Sequence, residues 1–218
     1  LVITNLHWGL HAWSIYGVCA LVIAYFTFRL EKPPLISTPL RGLFSGRSSE
    51  VAATTADVLG VVAVVFGLAG SLAMGALQVR SGLTSLFDVP AVNSVSLMVL
   101  AALFVMYMIS TLTGVEKGMK LLSDINMALG LAMMGYILVM GPTSFIMETF
   151  VTTLGSYVSQ FVNMSFRLFP FEGLTDWSAN WTLTYLIWWL AWGPFVGVFI
   201  ARISRGRTIR EFCMGVIL

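Results

Sequence analysis

Charge is what this sequence has least of. Of its 218 residues, 12 are Lys or Arg and 10 are Asp or Glu, 10% in all, against about 25% in globular domains. So few charges cannot wet the surface of a soluble domain of this size. Hydrophobic residues make up 58% of the chain, and the mean hydropathy is +0.89. Disorder is excluded too, because it needs low hydrophobicity and high charge. Cysteine is nearly absent: Cys19 and Cys213 lie in apolar runs and form neither a disulfide framework nor a metal cluster. The net charge of +2 says little about nucleic acid. No signal-peptide pattern opens the chain. It begins at Leu1 and stops inside the apolar run 213–218, so it is expected to be a piece of a longer protein. Membrane-embedded helices remain.

A spanning helix needs about 20 apolar residues. Five charge-free windows reach that length: 6–28, 58–79, 92–113, 125–147 and 181–201. A sixth, 212–218, is cut short. Small residues inside the windows, such as Gly67, Gly70, Ser71 and Gly75, are expected to mark close helix packing. The basic residues alternate. Three loops hold Arg29, Lys32, Arg41 and Arg47, then Lys117 and Lys120, then Arg202, Arg205, Arg207 and Arg210; the intervening loops hold only Arg80 and Arg167. The basic loops are therefore expected on the cytoplasmic side. The linker 30–56, with Pro33, Pro34 and Pro39, reads as a cytoplasmic connection rather than a second domain.

The stretch 149–166 is charge-free but rich in Thr, Ser, Gln and Asn. Phe150, Val151, Leu154, Tyr157, Val158, Phe161 and Val162 share one helical face. An amphipathic helix at the outer membrane surface fits this pattern. Its apolar face has two candidate partners, the bundle or another subunit.

Catalytic chemistry is not evident. No nucleophile–base pair or phosphate loop stands out, so the chain reads as no enzyme. His7 and His11 have metal-like i, i+4 spacing but no third ligand, and read as packing or interfacial residues. Asp57 and Asp124 read as carboxylates at helix starts, where they suit the N-terminal dipole end. No charge lies deep in a span, which disfavours a proton relay or voltage sensor. Arg202 to Arg210 read as positive-inside anchoring, with anionic-lipid binding as the alternative.

The aromatics are more specific. Trp188, Trp189 and Trp192 lie within five residues, with Tyr185 before them and Phe195 and Phe199 after. Trp177 and Trp181 fit an interfacial belt. Trp192 does not, being about 16 Å into the span at 1.5 Å per residue. Pro194 follows at once, where the helix is expected to kink or unwind; broken helices near the midplane mark transporter binding sites. Trp8, Trp13 and Tyr16 form a second set. Rings beside a break suggest a box for a cation without N–H donors.

These residues carry a resemblance. The run Asn180-Trp181-Thr182-Leu183-Thr184-Tyr185-Leu186-Ile187-Trp188-Trp189 resembles the signature of the betaine/choline/carnitine transporter family, with Leu186 in place of a Trp. His7-Trp8-Gly9-Leu10-His11-Ala12-Trp13-Ser14-Ile15-Tyr16 resembles its fourth span. Gly114-Val115-Glu116-Lys117-Gly118-Met119-Lys120 resembles the start of its seventh. Trp192-Gly193-Pro194-Phe195-Val196-Gly197, continued by 202–210, resembles its eighth span and the loop after it.

The resemblance implies an all-α integral membrane chain, spans four to eight and the start of nine, in an inverted-repeat bundle of the leucine-transporter type. It implies a multi-pass protein of the plasma (bacterial inner) membrane. The implied function is secondary uptake of glycine betaine, choline, carnitine or dimethylsulfoniopropionate by alternating access. Trp188, Trp189 and Trp192 match the substrate box, faced by Trp8, Trp13 and Tyr16. The 149–166 helix matches an outer-surface helix that helps join a homotrimer. Sodium is the coupling ion in some members, and Phe195 and Tyr16 match one such site. The threonine positions that complete it fall on Val64 and Leu68, and proton symport and exchange also occur in the family. Transport of another amine or amino acid by the same fold, and onium sensing without transport, are the competing readings.

Overall fold

An apolar segment in lipid must satisfy its own backbone hydrogen bonds, and helices do so. The computed structural model describes residues 1–112, 115–169 and 171–217, and of residues 115–117 and 119 the backbone only. The regular structure of these residues is helical throughout: α1 (Val2–Trp8), α2 (Leu10–Ala24) with a π turn (Tyr25–Arg29), a 3-10 turn (Thr38–Gly42), α3 (Arg47–Phe87), α4 (Asn93–Leu112), α5 (Val115–Met140), α6 (Thr143–Ser165), α7 (Thr175–Ser178) joined through a π turn (Ala179–Leu183) to α8 (Thr184–Ile203), and α9 (Ile209–Ile217). Five segments are long and apolar enough to cross a membrane: Val2–Arg29, Arg47–Phe87, Asn93–Leu112, Lys120–Met140 and Thr175–Ile203. Of the motif 114–120, Gly114 lies outside the described residues, and Lys117 is described by its backbone alone.

Several boundaries differ from the sequence expectation. The first span is broken at Gly9. The window 125–147 is divided: α5 ends at Met140, and Gly141-Pro142 leads into α6. Pro142 has no N–H to give the preceding turn, so the charge-free run is two helices. The amphipathic stretch 149–166 thus belongs to a helix that begins at Thr143. The linker closes early, because α3 begins at Arg47. Asp57 is therefore well inside α3 and Asp124 inside α5. Asp57 does not serve its own helix end. It accepts the Ser37 N–H at 3.1 Å and the Ser37 hydroxyl at 2.7 Å. One turn on, a Cβ at Gly60 would lie 2.6 Å from Ile36 Cδ1. This pair of contacts holds the linker on α3.

At Pro194 the unwinding half of the expectation is not met. Helix α8 neither stops nor unwinds there. The clash that pushes a residue before proline out of the helical region involves that residue's Cβ, and the residue here is Gly193. What is lost is one hydrogen bond, which unwinding would not restore.

The chain forms two compact units, Leu1–Leu68 with Thr153–Leu218, and Ala69–Thr152. In the first, α2 packs along α8. Gly193, Gly197 and Ala201 of α8 are buried at four-residue spacing, and Ala12, Gly17 and Ala20 of α2 are buried as well. A Cβ at Gly197 would lie 2.7 Å from Cys19 Sγ and 3.3 Å from the Ala20 backbone nitrogen. Small residues thus let the two backbones approach. Tyr16, Ala20, Ile200 and Phe212 form the core, with Trp189 and Trp192 packed on it. Helix α9 starts with a capping box: the Thr208 N–H donates to Glu211 Oε2 at 2.8 Å and the Glu211 N–H to Thr208 Oγ1 at 3.2 Å. The Thr208 backbone bond and hydroxyl hold the Glu211 carboxyl below its ordinary range.

In the second unit α4 packs on α5. Gly70 and Gly75, expected at close contacts, have no described atom within 4 Å of an added Cβ. The apolar window of α5 buries no residue, which suits a helix facing lipid.

Candidate substrate site

The rings singled out in the sequence come from two segments and meet. Trp8 ends α1. Its ring stands edge-to-face with Trp189 of α8, centroids 4.9 Å apart at 83°, and reaches Trp188 at 6.2 Å and Tyr185 at 5.6 Å. Trp188 and Trp189 lie nearly parallel, 8° apart in plane and 5.9 Å in centroid. Tyr16 of α2 stands perpendicular to Trp189 at 5.7 Å, and Trp13 meets Tyr16 at 6.0 Å. Edge-to-face pairs place the positive rim of one ring on the negative face of the next. Tyr16 is buried, whereas Trp8 and Trp13 remain 50% and 46% exposed, which leaves ring surface open to a ligand.

Trp192 is placed differently. Its ring contact is with Phe195, at 5.7 Å, and it joins the other rings through the core around Tyr16. A Cβ at Gly67 of α3 would lie 3.2 Å from Trp192 Cδ1 and Nε1. Gly67 therefore provides the flat bed on which this indole lies, a close contact of the kind the sequence expected there. The indole N–H is buried with no hydrogen-bond partner among the described residues. Phe195 is 57% exposed. Tyr16, its partner at the implied sodium site, has its ring contacts with Trp13 and Trp189.

The two histidines find separate partners. His7 Nε2 is 3.1 Å from Thr182 Oγ1, and its ring stacks on Tyr185 at 4.6 Å. His11 Nε2 is 2.7 Å from Ser165 Oγ, with Phe161 at 4.6 Å. Both act as packing residues that tie the first span to α8 and α6. Trp177 is more than a belt residue: it is half-buried, 5.9 Å from Phe169 and 6.5 Å from His7.

Sequence reasoning missed Tyr157 as an individual residue. It was seen only as one apolar position among seven on its face. In the structure it is 4% exposed, and its hydroxyl accepts the Leu10 N–H at 3.0 Å. Burial raises its pKa above the ordinary phenol value, partly offset by that backbone bond, so the hydroxyl stays neutral. Two cavities lie away from the rings. One, of about 240 Å³, is lined by Leu6, Gln160, Arg167, Phe169, Trp177 and Thr182 among others. The other, of about 810 Å³, includes Phe28, Arg29, Glu31, Arg205 and Arg207.

The sequence pattern of the betaine/carnitine/choline family transporters matches residues 1–218. The chain belongs to this family. It is 44% identical over 216 residues to the glycine betaine transporter OpuD of Bacillus subtilis, covering 99% of this chain and 42% of that protein. It is 43% identical over 212 residues to the ectoine/hydroxyectoine transporter of Virgibacillus pantothenticus, covering 97% and 42%. It is 38% identical over 218 residues to the high-affinity choline transport protein of Escherichia coli K12, covering 100% and 32%. The chain thus spans less than half the length of these relatives. They are named as transporters, not enzymes, and family membership with five membrane-length helices makes this an all-α, multi-pass membrane chain.

Proposed function

We propose that the full-length protein is a secondary transporter that imports an onium compatible solute or nutrient: glycine betaine, choline, carnitine or dimethylsulfoniopropionate. The observation that carries this reading is the meeting of Trp8 of α1 and Tyr16 of α2 with Trp188 and Trp189 of α8. A quaternary ammonium has no N–H to donate, so ring faces suit it better than carbonyls, at about 0.5–2 kcal/mol per contact. Trp13 extends this aromatic wall through Tyr16, and Trp192 adjoins it through the core around Tyr16. Alternating access would expose this wall to each side in turn, and the relatives named for betaine and choline support the substrate class.

The ectoine relative favours a second reading. Ectoine carries a cyclic amidinium with N–H donors, which lose free energy if left unpaired. Such a substrate would need an acceptor, a carbonyl or a carboxylate, beside the rings.

Tyr16 and Phe195 are poor in side-chain oxygen for a sodium site. Sodium is a hard cation that takes oxygen ligands. Together with Val64 and Leu68, these residues offer one phenol oxygen among their side chains.

The test is uptake of labelled glycine betaine by the full-length protein, in cells stripped of their own onium uptake, with choline, carnitine, dimethylsulfoniopropionate and ectoine as competitors and with or without a sodium gradient. Trp189→Ala is expected to lower uptake by more than about tenfold at equal surface amount. Full activity in that variant would remove Trp189 from the site. Competition by ectoine alone would favour the second reading.

A further inference from the structure

We propose that Tyr157 is a positioning residue for the ring cluster: through its hydroxyl, α6 fixes the junction in the first span that carries Trp8. The inference rests on the transporter reading above for its consequence, and on hydrogen bonds for its geometry.

The chain breaks between α1 and α2 at Gly9. The Gly9 N–H closes α1 on the Asn5 carbonyl at 2.8 Å, and the Trp13 N–H opens α2 on the Gly9 carbonyl at 3.3 Å. Between them the Leu10 N–H needs a partner outside the helix, since the first amides of a helix are orphaned. Tyr157 Oη supplies it at 3.0 Å. Room for that hydroxyl exists because residue 9 is glycine. A Cβ there would lie 2.9 Å from Tyr157 Oη and would run into the Asn5 carbonyl oxygen.

The orientation of the hydroxyl is fixed by a chain of donors. The Ser165 hydroxyl donates to the Phe161 carbonyl at 2.6 Å. Ser165 Oγ is then the acceptor for His11 Nε2–H at 2.7 Å. In a neutral imidazole the other nitrogen is an acceptor, so His11 Nδ1 receives the Tyr157 O–H, at 3.4 Å. Ser165, His11 and Tyr157 each donate once along this chain, and the Tyr157 oxygen is left to accept from Leu10. Trp8 immediately precedes the junction and meets Trp189 at 4.9 Å. The angle at Gly9 therefore sets how Trp8 stands against α8.

Tyr157→Phe keeps the ring that packs on Phe161 and His11 and removes only the hydroxyl. The full-length protein would be compared with this variant in two ways. Amide exchange, followed by mass spectrometry on peptides covering residues 9–13, is expected to speed up about five- to tenfold. Uptake of labelled glycine betaine is expected to show a KM raised about fivefold, with maximal rate within about twofold and surface amount unchanged. Lost packing alone would reduce the surface amount and leave KM in place. If Tyr157→Phe does not reach the membrane, His11→Phe removes the acceptor for the Tyr157 O–H instead, and the same two changes are expected at smaller size. Unchanged exchange at 9–13 would overturn the proposal, and so would faster exchange with unchanged KM. If the wild-type protein takes up no onium solute, the transporter reading falls by itself. The exchange comparison then still decides whether Tyr157 holds the junction: faster exchange keeps that claim and unchanged exchange removes it.

Discussion

Two segments of this chain invite a break, and only one breaks. Helix α8 contains Gly193-Pro194 and stays helical from Thr184 to Ile203. The first span has no proline before residue 33 and breaks at Gly9. The difference teaches where a membrane helix can afford to open. Unwinding frees several N–H and C=O groups, each of which needs a partner away from water. At Gly9 the partner is Tyr157, waiting on another helix. At Pro194 the proline itself deprives one carbonyl of its donor, and unwinding would only add orphans. Gly193, with no Cβ, lessens the steric reason to leave the helix. A break is thus decided by the neighbour that can satisfy it, more than by the residue that disrupts it.

The contrast assumes that both segments stay pressed together, and the largest effect is expected from separating them. Gly197→Val would drive two methyl groups into Cys19 and the Ala20 backbone. Overpacking costs about 1–3 kcal/mol in ordinary cores, and here the obstruction includes backbone. Little folded protein is expected, read as loss of the monodisperse peak in detergent. A normal yield would mean that α2 and α8 have room the structure does not show.

Gly9→Ala attacks the break directly. Its Cβ meets the Asn5 carbonyl and the Tyr157 hydroxyl, so the junction must shift and Trp8 with it. Uptake of glycine betaine is expected to fall about tenfold or more, with the protein still reaching the membrane. Wild-type uptake would show that the junction tolerates displacement.

Much of this molecule was legible in its sequence, but unevenly. Apolar runs and charge gaps reveal helices because lipid imposes a length and forbids charge. They do not reveal helix ends inside a charge-free run, so Gly141-Pro142 passed unseen between α5 and α6. Trp188 and Trp189 were legible because their spacing puts them on one broad helical face, and Trp8 and Tyr16 through the family resemblance. Tyr157 was not, because its role depends on a hydroxyl meeting Leu10, 147 residues away, and helical periodicity counts it only as apolar. Asp57 was misread for the same reason: its partner, Ser37, is on the linker. Local pattern gives elements and faces. Pairings between distant polar atoms come only from the fold.

A smaller effect tests the division of the tryptophans. Trp177 contacts Phe169 and His7 rather than the box. Trp177→Ala is expected to cost about 1 kcal/mol of stability through the lost aromatic pair, seen as a lowered unfolding midpoint. Glycine betaine uptake should stay within about twofold of wild type at equal surface amount, since the change is under about half a kcal/mol. A large rise in KM would bring Trp177 into the substrate path.

The smallest effect is expected at Pro194. Pro194→Ala restores an N–H that can bond to the Leu190 carbonyl in a helix that is already continuous. If α8 works as an intact helix, the variant should be slightly more stable and should carry glycine betaine at a wild-type rate. If α8 must open at Pro194 during transport, the added hydrogen bond opposes that opening, and the maximal rate falls while the unfolding midpoint rises. Measuring both quantities on one variant separates a proline that is merely tolerated from one that transport requires. It thereby decides whether the contrast between Gly9 and Pro194 belongs to the fold or to one step of the transport cycle.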